Sequence, residues 1–152
     1  MALDTTGTIL TLRTVDISAL PLLPLYSARG LHERMRYNDG AMAQDVTVNG
    51  ELVDLSLERF RKLEITISAK DVRPPSIDVC RPGLKVLLES SRLFSYPTLG
   101  GMPGRTPVSG SEFTEGDFTF YRPTFVCMLG NPSMDFDEWE ADDEWSLPMR
   151  EV

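Results

Sequence analysis

Asp45-Val-Thr-Val-Asn-Gly-Glu-Leu-Val-Asp54 reads as a β-hairpin. Two short runs alternate apolar and polar side chains, and Asn49-Gly50 stands between them. A two-residue type I′ turn needs φ > 0 at both positions, which Asn and Gly tolerate. The pattern therefore predicts a tight turn at 49–50. Working outward, Leu63, Ile65 and Ile67 alternate with Glu64, Thr66 and Ser68, the period-2 signature of a strand with one buried face. Leu84, Val86 and Leu88 alternate with Lys85, Leu87 and Glu89 in the same way. Phe118-Thr-Phe-Tyr121 and Thr124-Phe-Val-Cys-Met-Leu129 predict two more strands, with a break or bulge at Arg122-Pro123. Thr8-Ile-Leu-Thr-Leu-Arg-Thr-Val15 is rich in β-branched residues, and Trp145-Ser-Leu147 predicts a last strand.

Helical signal is thin. Ser56-Leu-Glu-Arg-Phe-Arg-Lys62 is compatible with one to two turns, Ser56 serving as N-cap and Leu57 and Phe60 sharing a face. About seven or eight short strands punctuated by Pro and Gly predict an all-β fold, a β-sandwich or β-barrel with at most one short helix. Residues 96–110 carry four Gly and three Pro, together with Leu99, Met102 and Val108, and read as a long loop with apolar area to offer. No repeat or shift in composition marks a second domain, so residues 1–152 are read as a single β domain.

A chain of 152 residues can bury a core without metal or disulfide staples. It has 23 acidic and 15 basic side chains, a formal net charge of −8. This balance speaks against a protein built to hold phosphate backbones, which requires Lys and Arg to displace counterions, and against an anionic membrane surface as partner. The acidity is concentrated. Asp135, Asp137, Glu138, Glu140, Asp142, Asp143 and Glu144 place seven acids within the segment 135–144, and outside it 16 acids face 15 bases. The segment reads as a solvated acidic loop, an acidic patch meeting a basic neighbour, or a wall along a passage for DNA, to which phosphate would not stick. Trp139, among these acids, is expected to anchor against the body of the protein or against a neighbour.

Sequence chemistry gives little support to catalysis. His32 is the only histidine, and no GxSxG nucleophile elbow accompanies it. Neither a P-loop nor a GxGxxG fingerprint is present. Asp135-Phe-Asp-Glu-Trp-Glu140 lacks the Gly of an EF-hand loop, and Phe136 and Trp139 interrupt its ligands. Crowded on one segment, these acids do not face each other across a cleft as a glycosidase pair must. Cys80 and Cys127 lack CxxC or Cys/His spacing and are expected as small buried hydrophobes, with a disulfide left open. No signal peptide or bilayer-spanning run is expected, and no metal or cofactor is.

Arg29, Arg34, Arg36, Arg59, Arg61 and Lys62 lie in the first half. Arginine is enriched at interfaces, so a basic first half and an acidic C-terminal end suit head-to-tail pairing of copies. The candidate interface residues are Arg29, Arg34, Leu99, Met102, Arg105, Trp139, Asp142 and Asp143.

A family resemblance rests on residues spread over 22–152. Tyr26-Ser-Ala-Arg-Gly-Leu31, Val48-Asn-Gly-Glu-Leu-Val-Asp-Leu-Ser56, Phe60-Arg-Lys62, Ile65-Thr-Ile-Ser68 and Arg73-Pro-Pro75 come first. Val108-Ser-Gly-Ser111, Thr114-Glu-Gly-Asp-Phe-Thr-Phe-Tyr-Arg-Pro123, Asp137-Glu-Trp139 and Glu144-Trp-Ser-Leu147 follow. In this order they resemble small structural proteins of tailed-bacteriophage virions. The chain departs from that pattern at His32-Glu33, where Thr-Gln is expected, and at Arg81-Pro82-Gly83, where Trp-Pro-Gly is expected. The resemblance implies a non-enzymatic component of the tail, tail tip or baseplate, made in the host cytoplasm and carried in the virion. Its implied partners are copies of itself in a homo-oligomeric ring and other tail proteins, without stable nucleic-acid binding or membrane insertion. The alternatives are a capsid decoration or cement protein, and a carbohydrate-binding β-sandwich that uses Trp139 or Tyr96 against a host surface.

Overall fold

The structure, a computed structural model, describes residues 9–16, 19–24, 27 and 30–152. Their strands are β1 (Thr11–Thr14), β2 (His32–Tyr37), β3 (Gln44–Val46), β4 (Leu52–Asp54), β5 (Leu63–Asp71) and β6 (Lys85–Glu89). They continue as β7 (Phe94–Pro97), β8 (Phe113–Glu115), β9 (Phe118–Tyr121), β10 (Thr124–Leu129), β11 (Ser133–Asp137) and β12 (Asp142–Glu151). The fold is all-β, as the alternation predicts, but with twelve strands among the described residues instead of seven or eight.

The main sheet runs β1-β6-β10-β12-β5-β2, with β11 also paired to β12, and β7-β9-β8 form a second sheet. Every strand pair is antiparallel. Among the described residues the main sheet does not close: β1 and β2 are its two ends. A barrel is thereby replaced by a sandwich-like arrangement. The inner face carries Leu63, Ile65, Ile67 and Ala69 from β5, Val86 and Leu88 from β6, Phe125, Cys127 and Leu129 from β10, and Trp145, Leu147 and Met149 from β12. Alternation along each strand sends every second side chain here. Leu22 and Cys80 join this core from the connecting segments, and Phe94 of β7 meets Phe125 edge-on at 5.9 Å. Trp145 is buried, and its indole N–H donates to the Ser27 carbonyl.

The last strand is longer than expected and bears a proline. Pro148 directs its carbonyl toward β10, where Gly130 N donates to it at 2.7 Å. In an antiparallel ladder a residue's nitrogen points the same way, so the missing donor falls on that side. The ladder breaks there in any case. Leu129 pairs with Met149 and Ser133 with Ser146, so four steps on one strand match three on the other. This is a one-residue bulge at Gly130–Pro132, the kind of position where a sheet tolerates proline.

Three local expectations are corrected. The 45–54 hairpin exists, but its loop has three residues, Val48–Gly50. Thr47 N donates to Glu51 O and Gly50 N to Thr47 O, each at 2.8 Å. Gly50 alone has positive φ, +81°, and Asn49 does not. This is the geometry of a type I turn closed by a left-handed glycine. The stretch 56–62 forms only one 3-10 turn, Glu58–Phe60, and Ser56 does not cap it; its amide donates to Asp54 Oδ1 instead. Leu57 and Phe60 remain 51% and 48% exposed, so no packing surface supports a helix. The acidic segment is a hairpin of β11 and β12, with Asp137 opposite Asp142.

The 96–110 segment is bound at both ends. Tyr96 and Pro97 belong to β7, Thr98 N donates to Asp117 O, Val108 N donates to Arg122 O, and Thr124 N donates to Thr106 O. Gly101 lies against the Pro97 carbonyl so closely that a Cβ has no room.

Candidate functional site

The inner face is filled, so chemistry available to a partner lies on the outer face of the main sheet and on what projects from it. Arg34 and Arg36, two residues apart on β2, point to the outer face together. The registers place Arg34, Thr66 and Pro148 in one row across β2, β5 and β12. Arg36, Glu64, Arg150 and Met128 form the next, reaching β10. Together with the bulge they line an open groove of about 740 Å3. Glu64 accepts from Arg36 Nε at 2.8 Å and lies 3.4 Å from Arg150 Nη2. The hydrogen bond and charge of Glu64 raise the Arg36 pKa. One carboxylate thus serves two guanidiniums, and Arg34 makes no ion pair or side-chain hydrogen bond among the described residues. The groove is net positive on a chain whose total charge is −8.

The second feature is the β3–β4 hairpin, here called the arm. Among the described residues its strands pair only with each other, and every residue of them is exposed. Val46 pairs with Leu52, placing both on one face. Asp45 pairs with Val53 on the other, which alternation extends to Glu51 and Leu55. Val46, Leu52 and Leu55 are 60%, 66% and 62% exposed. Asp54 is held by Arg61 at 3.2 Å, whereas Asp45 and Glu51 have no cationic partner among the described residues.

The eight candidate interface residues fall on different elements. Arg29 lies outside the described residues. Arg34 is exposed in the groove. Leu99 and Met102 are 93% and 80% exposed on the loop after β7. Arg105 is corrected from surface contact to internal tie: it binds Glu151 at 2.9 Å and lies over the Phe125 ring. Trp139 stands at the β11–β12 tip, 98% exposed, and so does not anchor against the protein's own body. Its amide donates to Asp137 Oδ1. Asp142 pairs with Lys70 at 3.2 Å. Lys70 also meets Glu140, and hydrogen bonds to the two carboxylates raise its pKa. Asp143 is corrected from surface to interior: it faces inward opposite Asp71, and desolvation raises its carboxyl pKa.

His32 is exposed at the start of β2, opposite Ser68. Cys80 and Cys127 are free and buried, which settles the open disulfide alternative. Burial raises both thiols, Cys127 to about 12. The sequence reading singles out neither Glu64 nor Arg150, and it names Arg36 only among the basic residues of the first half. The Arg-Met-Arg spacing at 34–36 was the available signal, because residues i and i+2 share a face if the segment is a strand.

Compared with protein families, curated proteins and solved structures, the chain finds no significant match.

Proposed function

We propose that this chain is a non-enzymatic structural protein of a tailed-bacteriophage virion, a tail, tail-tip or baseplate component that works in a ring. The observation that carries this reading is the arm. A two-stranded hairpin is marginal in water unless something packs on it. This one pairs with no other strand among the described residues and presents Val46, Leu52 and Leu55 to solvent. Such a surface is explained by a neighbour that covers it. Leu99 and Met102 add exposed apolar area on another loop. The sequence resemblance supplies the virion context, and the partners are copies of the chain and other tail proteins.

Mass spectrometry of separated heads and tails tests this reading. The chain is expected in tails. Recovery in heads alone supports the capsid-cement alternative, and absence from both overturns the virion reading. One observation favours a second reading, a carbohydrate-binding surface: the Trp139 indole is free to stack on a sugar. Tyr96 is a poorer platform because its ring already packs 5.9 Å from Tyr121. Glycan-array binding that is lost in Trp139→Ala would support this second reading.

A further inference from the structure

We propose that the β3–β4 arm of one copy docks in the Arg34–Arg36–Arg150 groove of a second copy. This deepens the ring reading and rests on it for the choice of a second copy as occupant. The arm presents Asp45 and Glu51 without cationic partners among the described residues, and no Lys or Arg lies between residues 44 and 58. The groove presents three guanidiniums against the single carboxylate of Glu64. Opposite charge therefore faces opposite charge between two surfaces of the same chain, and like surfaces repel. Apolar matter matches as well. Val53 and Leu55 share the arm's acidic face, while Met128, 40% exposed, and Pro148 lie among the arginines.

The geometry also accounts for the unshared charge of Arg34. Arg36 and Arg150 are partly neutralised by Glu64, but Arg34 is free to receive a carboxylate from outside. Arm and groove are different patches, so the contact is head-to-tail. Repeated, it closes a ring or continues as a filament according to the rotation between copies. Because much of the complementarity is electrostatic, added salt weakens it.

The test uses the purified full chain and light scattering after size exclusion. The wild type is expected as a multiple of 17.0 kDa. Reversing the arm (Asp45→Lys with Glu51→Lys) or the groove (Arg34→Glu with Arg150→Glu) is expected to raise the dissociation constant on the order of tenfold or more. Combining all four changes in one chain is expected to restore assembly. A cross-link guards against variants that misfold. Mixed Val53→Cys and Met128→Cys chains are expected to form a disulfide dimer, since the native thiols are buried. A wild type that stays monomeric, an oligomer indifferent to both reversals, or no cross-link overturns the proposal. So does a monomer that binds a single-stranded oligonucleotide through Arg34, which would make the groove a phosphate site. A monomeric chain found in phage tails overturns the arm–groove contact alone. Arm–groove oligomers absent from particles overturn the virion reading alone.

Discussion

Arg105 and Glu151 are joined by two hydrogen bonds, Nε to Oε1 at 3.1 Å and Nη2 to Oε2 at 2.9 Å. The pair fastens the Gly/Pro-rich loop to the last strand. Glu151 Oε2 also accepts from Leu63 N at 3.0 Å, so a single carboxylate ties three segments together. Both side chains are largely sheltered, 20% and 13% exposed, which limits screening by water.

Glu151→Ala is therefore expected to cost about 2 kcal/mol, the scale of a lost charged hydrogen bond with a partner left unsatisfied. Trypsin supplies a sharper readout. It must take the arginine side chain into its own pocket, and Glu151 holds that side chain. The wild-type monomer is expected to resist cleavage after Arg105, and Glu151→Ala to be cut there. Rapid cleavage of the folded wild type would refute this.

The arm invites a prediction in which stability and assembly separate. Gly50 has φ +81° and open space around it, so a substitution there is strained only through the backbone. Gly50→Val is expected to cost the arm roughly 1–2 kcal/mol, the penalty of a left-handed L-residue. Among the described residues the arm pairs with neither larger sheet, so the main thermal transition should hardly move. The oligomer should nonetheless weaken, and Gly50→Asn should behave close to wild type because Asn tolerates this region. A large fall in Tm for the monomer would show that the arm belongs to the cooperative core.

The fold was legible where burial leaves a period-2 trace. Leu63, Ile65 and Ile67 alternate with polar residues because one face of β5 meets the core and the other meets water. The same holds for Val86 and Leu88. The alternation does not mark β2, because Glu33 and Met35 turn inward among His32, Arg34 and Arg36 and leave no apolar rhythm. The arm shows the converse failure. Its alternation looks like that of a core strand, and nothing local to Val46 or Leu52 tells whether a core stands opposite. Arg105 sits in a loop whose composition suggests solvent, and its partner is 46 positions away.

Trp139 and Trp145 make a paired test. Six residues apart, they occupy opposite environments: Trp139 is 98% exposed at the hairpin tip, and Trp145 is 1% exposed in the core with its N–H satisfied. Trp145→Ala is expected to cost about 3–5 kcal/mol, and Trp139→Ala almost nothing in the monomer. Acrylamide, a neutral quencher that the surrounding carboxylates do not repel, should quench the fluorescence of the Trp145→Phe chain strongly and that of Trp139→Phe weakly. If assembly uses the tip, Trp139 quenching falls in the oligomer. Similar quenching of both indoles in the monomer would contradict the placement of β12.

Asp143 gives the pH prediction. It is 9% exposed, faces inward beside Trp145 on the same strand, and lies opposite Asp71 in the ladder. Desolvation raises its pKa above the ordinary carboxylate value. The folded state therefore binds this proton more tightly than the unfolded state does. Between the unfolded and folded pKa values the native chain carries more protons, so this group's contribution to stability falls as pH rises. Above that window the ionised carboxylate is a net cost; below it, the cost is gone. Asp143→Asn keeps the size and removes the charge. It is expected to raise the Tm at pH 7, with the gain shrinking as pH falls below the folded-state pKa. The neighbouring Asp142→Asn loses its contact with Lys70, an exposed pair, and should change the Tm little at either pH. Thermal melts of the three chains from pH 3 to pH 8 decide the matter. An Asp143→Asn chain less stable than wild type at pH 7 would mean that the carboxylate is held by a favourable partner, and the desolvation argument would fail.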